Sequence, residues 1–111
     1  MRLFIYGTLK RGFPAAGRMT GATYVGDAAT EPSWTLLNLG RYPGLVAGCD
    51  AVRGELYDVP TALLPALDAY EGVAEGLYDR IAIPTTAGPA ETYRYLGPRS
   101  HATPCGAEWT G

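Results

Sequence analysis

The sequence predicts an α+β fold: a small, partly closed mixed β-barrel of about six or seven strands with one main helix. Three observations support this prediction. The 111 residues suffice for a single domain, residues 1–111, around one hydrophobic core. The 15 glycines and 9 prolines indicate many turns. Only one stretch of the chain has a convincing helical pattern.

The first predicted element is a strand over residues 2–6, where three consecutive apolar residues include a β-branched and an aromatic side chain. Gly7 ends this strand and Gly12 closes the turn that follows. The backbone N–H groups of residues 8–10 are expected to form a concavity that suits a carboxylate or an oxyanion.

Further strands are predicted over residues 19–29, 33–39 and 45–47. Glycines inside the first of these indicate bulges or bends, as expected where a small sheet curls. Residues 39–44 contain two glycines and a proline and are expected to form a loop.

Residues 51–59 alternate between the two faces of a predicted strand. The preceding Gly-Cys-Asp at residues 48–50 has the composition of a turn. We therefore expect the strands over 45–47 and 51–59 to pair as a hairpin.

The main helix is predicted over residues 62–70, because three leucines and Tyr70 form one apolar stripe. Thr61 is the expected N-cap and Gly72 the residue that ends the helix in a left-handed conformation. Pro65 is compatible with this helix only if it lies in the first turn.

Two last strands are predicted over residues 78–86 and 91–95, joined around Gly88. The remaining tail, from Leu96 to Gly111, contains further glycine and proline breaks and is expected to be rich in turns.

Composition excludes several function classes. A net charge of −2 and a pI of about 5.2 give no electrostatic basis for a nucleic-acid partner. No segment approaches the roughly 20 apolar residues of a membrane span. Cys49 and Cys105 do not have the spacing of a metal site, and a disulfide between them stays open. The absence of a leader pattern favours a cytoplasmic, reduced protein, and a monomer is compatible with the sequence.

Several motifs follow one another in a specific order. They are Tyr-Gly-Thr-Leu-Lys-Arg-Gly at 6–12, Gly-Arg-Tyr-Pro-Gly at 40–44, Gly-Glu-Leu-Tyr at 54–57, Leu-Asp-Ala-Tyr-Glu-Gly at 67–72, Leu-Tyr-Asp-Arg at 77–80 and Cys-Gly-Ala-Glu-Trp at 105–109. In combination they resemble the γ-glutamylcyclotransferase-like family, also called the AIG2-like family. Any one of them alone would be a weak signal.

The resemblance implies a small β-barrel flanked by helices, with a substrate cavity at one end. It implies that the opening loop binds the glutamyl head of the substrate, through Tyr6, Gly7, Thr8 and Leu9, and that Glu71 is the general acid/base. The implied reaction converts a γ-glutamyl amine or γ-glutamyl amino acid into 5-oxoproline and the free amine, without a metal or organic cofactor. A carboxylate serves both proton transfers best when burial raises its pKa towards neutrality.

Two tyrosines are additional predicted substrate contacts: Tyr42 in the glycine-rich loop and Tyr78 at the start of the penultimate strand. Arg80 is predicted to be structural, and the alternative that it orients a carboxylate stays open. Glu75 is predicted to be solvated, and no role is expected for His101.

Two other functions stay open. A non-catalytic module could bind a small molecule or a peptide end in the same cavity, although it would gain nothing from Glu71 near the substrate's carboxylate. Acyl transfer to an outside amine would use the same residues but release no 5-oxoproline. Residues 13–16 and the short segment 73–76 depart from many relatives, so the leaving amine is also open.

Overall fold

The computed structural model describes every residue from 1 to 111. The strands are β1 (Arg2–Ile5), β2 (Thr23–Ala29), β3 (Trp34–Asn38), β4 (Pro43–Ala47), β5 (Arg53–Asp58), β6 (Tyr78–Thr85), β7 (Gly88–Tyr95) and β8 (Thr103–Gly106). The helix α1 spans Leu64–Glu71, and short 3-10 helices span Ala16–Met19 and Thr61–Leu63. The α+β class with one main helix is confirmed. None of the helices is long and apolar enough to cross a membrane.

All eight strands belong to one mixed sheet, with the order β2-β5-β1-β7-β4-β3-β8 and with β6 paired to β7. The β1–β7 and β4–β7 pairs are parallel, and the others are antiparallel. A bridge between Thr30 and Thr85 brings the ends of β2 and β6 together. The sheet therefore curls on itself, which confirms the partly closed barrel.

One edge of β7 is shared by two strands, because β1 pairs with it at Glu91 and β4 pairs with it at Arg94. The Tyr6 hydroxyl lies where β1 and β4 diverge. It donates to the carbonyl oxygen of Tyr93 at 2.6 Å and accepts from the amide of Leu45 at 3.2 Å. We call this place the sheet fork. A side-chain hydroxyl there supplies hydrogen bonds that a continuous ladder would otherwise supply.

The core lies on both faces of the sheet as two hydrophobic clusters. Strand β5 contributes to both: Val52, just before it, and Leu56 belong to one cluster, while Tyr57 and Val59 belong to the other. The alternation predicted for residues 51–59 is thereby confirmed. Helix α1 packs on the second of these clusters through its leucines, so its C-terminal end lies beside the sheet fork.

The predicted hairpin between β4 and β5 is wrong. Strand β4 pairs with β3 and β7, whereas β5 pairs with β1 and β2. The segment between them follows β3 instead of turning back: Gly48 donates to the Ser33 carbonyl, and Asp50 donates to the Trp34 carbonyl. These bonds carry the chain along β3 and away from β4 before β5 begins.

Strand β4 begins at Pro43 and not at residue 45, so the predicted loop is shorter than expected. Gly44 is compatible with the strand because the Tyr95 side chain covers its α-carbon. A Cβ at residue 44 would lie 2.7 Å from the Tyr95 ring. A glycine that interrupts a sequence pattern can thus belong to a strand where a large neighbour needs the space.

The end of α1 is as predicted and its beginning is not. Gly72 has φ 70° and closes the helix in the left-handed region. Thr61 does not cap α1, because a 3-10 turn over Thr61–Leu63 comes first and no side chain caps the helix. Pro65 lies in the first turn, where its missing N–H has no helical partner to lose.

The start of β2 and the number of strands also differ from the prediction. The strand predicted over residues 19–29 begins at Thr23, since the Ala16–Met19 3-10 helix precedes it, and the bulge expected at its glycines lies between Tyr24 and Gly26. Strand β8 in the tail was not predicted and raises the count to eight.

Candidate active site

A cavity of about 160 Å³ opens beside the sheet fork, between the loop that follows β1 and the C-terminal end of α1. The structure brings all seven sequence-predicted site residues together in its lining. These are Tyr6, Gly7, Thr8, Leu9, Tyr42, Glu71 and Tyr78. Apart from Glu71, the lining consists of apolar, aromatic and uncharged residues.

The opening loop needs a glycine at residue 7, because a Cβ there would lie 2.8 Å from Cγ of Pro43 on the opposite cavity wall. The N–H of Lys10 donates to the Gly7 carbonyl at 3.0 Å and so closes the turn. The N–H groups of Thr8 and Leu9 have no acceptor within the protein. Of the three N–H groups in the concavity predicted from the sequence, those of Thr8 and Leu9 are therefore free, and that of Lys10 is bonded within the turn.

Glu71 is the last residue of α1, and Gly72 then turns the chain away from the helix axis. Its side chain is half-buried in the cavity wall, and neither a hydrogen-bond donor nor a basic side chain contacts its carboxyl group. Burial and, to a smaller extent, the negative charge of Asp68 raise the pKa of Glu71 to about 7. This group can take up and release a proton near neutral pH.

The hydroxyls of two lining tyrosines are engaged within the fold. Tyr6 bonds in the sheet fork as described above, and Tyr78 donates to the Pro43 carbonyl at 2.8 Å. Burial is the main cause that holds the pKa of both phenols well above the ordinary value. They present ring surfaces to the cavity. Tyr42 stands at the rim, where 39% of it is exposed.

Sequence reasoning did not identify Tyr70 and Tyr93 as part of the site. The hydroxyls of Tyr70 and Thr8 are 3.0 Å apart and join α1 to the opening loop. The Tyr93 hydroxyl donates to Asp68 at 2.6 Å. Tyr70 belongs to the apolar stripe and to the motif at residues 67–72, and neither pattern predicts a site role for it. For Tyr93 the available signal was its strand periodicity, which places it on the same face of β7 as Tyr95.

Other candidates lie outside the cavity. Arg80 contacts Asp68 at 3.7 Å and Glu91 at 3.3 Å. Glu75 and His101 are exposed, and both cysteines are free thiols. No group of three or more His, Cys, Asp or Glu side chains is arranged to hold a metal ion. The chemistry available in the cavity is that of one carboxyl group, two amides and several aromatic rings.

A sequence model of the family described as γ-glutamyl cyclotransferase, AIG2-like, matches residues 3–110. YtfP of Escherichia coli K12, described as a γ-glutamylcyclotransferase family protein, is 39% identical over 98 residues, which cover 88% of this chain and 85% of YtfP. The rat protein described as γ-glutamylaminecyclotransferase is 35% identical over 91 residues, which cover 73% of this chain and 60% of that protein.

Solved structures share the architecture. The solution NMR structure of YtfP from Escherichia coli matches with a TM-score of 0.75 and 36% identity, over 97% of this chain and 93% of that one. The crystal structure of an AIG2-like protein from Mus musculus matches with a TM-score of 0.72 and 28% identity, over 86% of this chain and 76% of that one.

Proposed function

The chain belongs to the γ-glutamyl cyclotransferase, AIG2-like family, and on that premise we propose that it converts a γ-glutamyl amine or γ-glutamyl amino acid into 5-oxoproline and the free amine. Glu71 is the general acid/base of this proposal. The opening loop is the part that binds the glutamyl head.

The observation that carries the proposal is the Glu71 carboxyl group itself. It lies in the wall of an aromatic cavity, without a hydrogen-bond donor or a basic partner, and its pKa is about 7. A general base is most effective when its pKa lies near the pH at which it works. A cavity that served only to bind a carboxylate-bearing ligand would bind that ligand more weakly with an unpaired carboxyl group in its wall.

The proposed reaction is intramolecular. The α-amino nitrogen of the substrate attacks its own side-chain carbonyl carbon, a C–N bond forms, and a five-membered ring closes through a tetrahedral intermediate. Glu71 takes a proton from the α-ammonium group and delivers one to the leaving nitrogen as the original amide C–N bond breaks. The ring nitrogen loses two of its three ammonium protons, one before it attacks and one as the tetrahedral intermediate collapses. The leaving nitrogen gains two and departs as an ammonium ion, so protons and bonds balance.

The Thr8 and Leu9 amides support binding in this proposal. Two free N–H groups in one loop can hold the substrate α-carboxylate or stabilise the oxyanion of the intermediate. Because the nucleophile is already tethered, holding the substrate in a folded, near-attack conformation contributes much of the rate. A cavity of about 160 Å³ with aromatic walls suits such a compact conformer.

A direct test is incubation of the protein with γ-glutamyl amines, γ-glutamyl amino acids and glutathione, followed by assay of 5-oxoproline and of the released amine in equal amounts. Release of both from at least one compound supports the proposal. Transfer of the glutamyl group to an added amine without 5-oxoproline would replace cyclisation by acyl transfer. Binding of the compounds without any product would favour the non-catalytic module.

A further inference from the structure

The end of α1 that carries Glu71 is attached to the β6–β7 hairpin by a polar cluster. Asp68, one helical turn before Glu71, accepts a 2.6 Å hydrogen bond from the Tyr93 hydroxyl through Oδ1. Its Oδ2 lies 3.7 Å from the Arg80 guanidinium, which also contacts Glu91 at 3.3 Å. None of these contacts takes part directly in the proposed reaction.

We propose that Asp68 is a positioning residue for Glu71, fixed by Tyr93 and Arg80, and that the Asp68–Arg80 pair sets the electrostatic environment in which Glu71 exchanges protons. The inference rests on the proposed function of Glu71. Asp68 does not line the cavity, so it acts through its neighbours.

The positioning part follows from the contacts that Asp68 makes at this end of the helix. Helix α1 has only eight residues and ends at Glu71. Asp68 accepts from the N–H of Val73 through its own carbonyl, so its side chain and backbone fix the same turn. Tyr93 is at once the donor to Asp68, a wall of the cavity and the carbonyl acceptor of Tyr6. A continuous series of hydrogen bonds and packed residues thus joins the sheet fork, the cavity wall and the helical turn that carries Glu71.

The electrostatic part follows from the charges around Glu71. The phenols whose pKa values the negative charge of Glu71 raises come from three elements: Tyr6 of the opening loop, Tyr78 of β6 and Tyr93 of β7. Burial is the main cause that raises the pKa of each, so all three are uncharged at neutral pH. Asp68 is the ionised group that acts on Glu71, and its negative charge disfavours the ionised form of Glu71.

Other charged side chains lie next to Asp68 and on the opposite side of the cavity. Arg80 lies against Asp68 and offsets part of its charge, and Glu91 in turn shares Arg80. On the other side, the Arg18 guanidinium lies 4.3 Å from the ring centre of Tyr70, which also lines the cavity. Removing Asp68 or Arg80 is therefore expected to have opposite effects on Glu71.

The first test is a pair of charge-removing variants. Asp68→Asn keeps an acceptor for the Tyr93 hydroxyl and removes the negative charge, so the titration midpoint of Glu71 should fall by about 0.5–1 pH unit. Arg80→Gln removes the positive charge that offsets Asp68, so the midpoint should rise. Carbon-detected NMR of the side-chain carboxyl measures the midpoint directly, and the pH dependence of kcat/KM measures it through turnover.

The matched controls are Asp79→Asn and Arg94→Gln. These two residues form a 2.6 Å ion pair on the same hairpin, and Asp79 is not among the groups that raise the pKa of Glu71. Neither control should move the titration of Glu71. They separate a local electrostatic effect from a general loosening of the hairpin.

The positioning part has its own pair of variants. Asp68→Ala removes both the charge and the acceptor for Tyr93, and it should lower kcat more than tenfold with a smaller change in KM. Asp68→Asn should retain most of the kcat at the pH optimum. Equal kcat values for the two variants, with melting temperatures that show both are folded, would overturn the positioning role.

Opposite movements of the Glu71 titration in Asp68→Asn and Arg80→Gln, beyond both controls, support the electrostatic role. Movements no larger than those of the controls overturn it. If NMR shows the opposite movements but no compound yields 5-oxoproline, the proposed function fails while the assignment of the Asp68–Arg80 pair stands.

Discussion

Two glutamates lie on either side of the opening loop, and they differ in the number of hydrogen-bond donors that contact their carboxyl groups. Glu55, 9% exposed, accepts hydrogen bonds from the Arg11 amide at 3.0 Å, from the Arg11 guanidinium at 3.1 Å and from the Tyr57 hydroxyl at 3.0 Å. Glu71, across the loop, has no donor at all.

The difference teaches how to tell a structural carboxylate from a reactive one. Three donors hold the Glu55 side chain in place, and they make it a fixed anchor for the back of the loop. Burial also raises the pKa of its partner Tyr57 to about 12, helped by the hydrogen bond to Glu55. Glu71 is kept without donors, at some cost in stability, and so it remains able to exchange protons.

Two exposed glutamates complete the comparison. Glu75, four residues after Glu71, is exposed and has neither a hydrogen bond nor an ion pair. Glu108 is exposed and contacts Arg53 at 3.5 Å. The chain thus contains a half-buried unpaired, a buried paired, an exposed unpaired and an exposed paired glutamate, and each can be replaced by glutamine.

The largest expected effect is that of Glu71→Gln on turnover. The change keeps the shape of the side chain and removes its capacity to transfer a proton, so kcat should fall by about 10²–10⁴-fold. Release of 5-oxoproline from the best substrate measures it, with the melting temperature as the check of folding.

Glu75→Gln is the matched control for that variant, since it makes the same chemical change on the same segment but outside the cavity. Its turnover should equal that of the unmodified protein. Near-full turnover in Glu71→Gln would remove Glu71 from the mechanism and leave the non-catalytic module as the better interpretation.

The next effect is that of Glu55→Gln on stability. Glutamine loses the charge that Arg11 pairs with and turns an N–H₂ group towards a donor, so the free energy of unfolding should fall by about 2–3 kcal/mol. Urea unfolding measures this change. Turnover per folded molecule should change far less than in Glu71→Gln, and an equal loss of turnover would mean that the anchor also governs the chemistry.

A smaller effect is the pH dependence of stability that Glu71 causes. Its pKa is about 7 in the folded protein against an ordinary value of 4.5, so between these values the folded state binds more protons than the unfolded state. Stability from this group is full below pH 4.5 and is lost as the pH rises through 7. Relative to the unmodified protein, Glu71→Gln should therefore gain about 1–2 kcal/mol from pH 4.5 to pH 8.

Urea unfolding of both proteins at pH 5 and at pH 8 measures this gain. A difference in unfolding free energy that is the same at both pH values would show that Glu71 titrates normally, and it would contradict the reading of this residue as a carboxyl group destabilised by burial.

The smallest effect is that of Glu108→Gln. Exposed ion pairs contribute little because water and salt screen them, so unfolding free energy should change by less than about 1 kcal/mol, and less still in 0.5 M salt. Both glutamates are paired with an arginine, so a change as large as that of Glu55→Gln would show that burial of the pair adds nothing to its contribution to stability.

Local sequence patterns were enough to predict β1, α1 and the hairpin of β6 and β7. They failed where distant segments pair. The alternation of β5 defined its two faces but could not identify β1 and β2 as its partners, and a turn-like composition at residues 48–50 suggested the wrong hairpin. Strand β8 contains Pro104 and Gly106, which oppose strands in general, and it is tolerated at the edge because it pairs only with β3.

The site was predicted from motifs in the opening loop and at the end of α1, which the fold brings together although more than 60 residues separate Thr8 from Tyr70. The sequence predicts no role for Asp68 or Tyr93 beside Glu71, and for Arg80 it leaves open whether the residue is structural or orients a carboxylate. Their arrangement depends on contacts between α1 and a hairpin that forms later in the chain, and no local pattern encodes such contacts.

Because of the sheet fork, a ligand in the cavity is expected to affect two strands of the sheet at once. The strands β1 and β4 diverge there, and the cavity is walled by the loop after β1 on one side and by Pro43 of β4 on the other. A ligand that fills the cavity would bridge the two branches of the sheet, as the Tyr6 hydroxyl already does at the base. Amide hydrogen exchange should then slow together in β1 and β4, with the Leu45 amide as a reporter, because its acceptor is the hydroxyl of Tyr6, which lines the cavity.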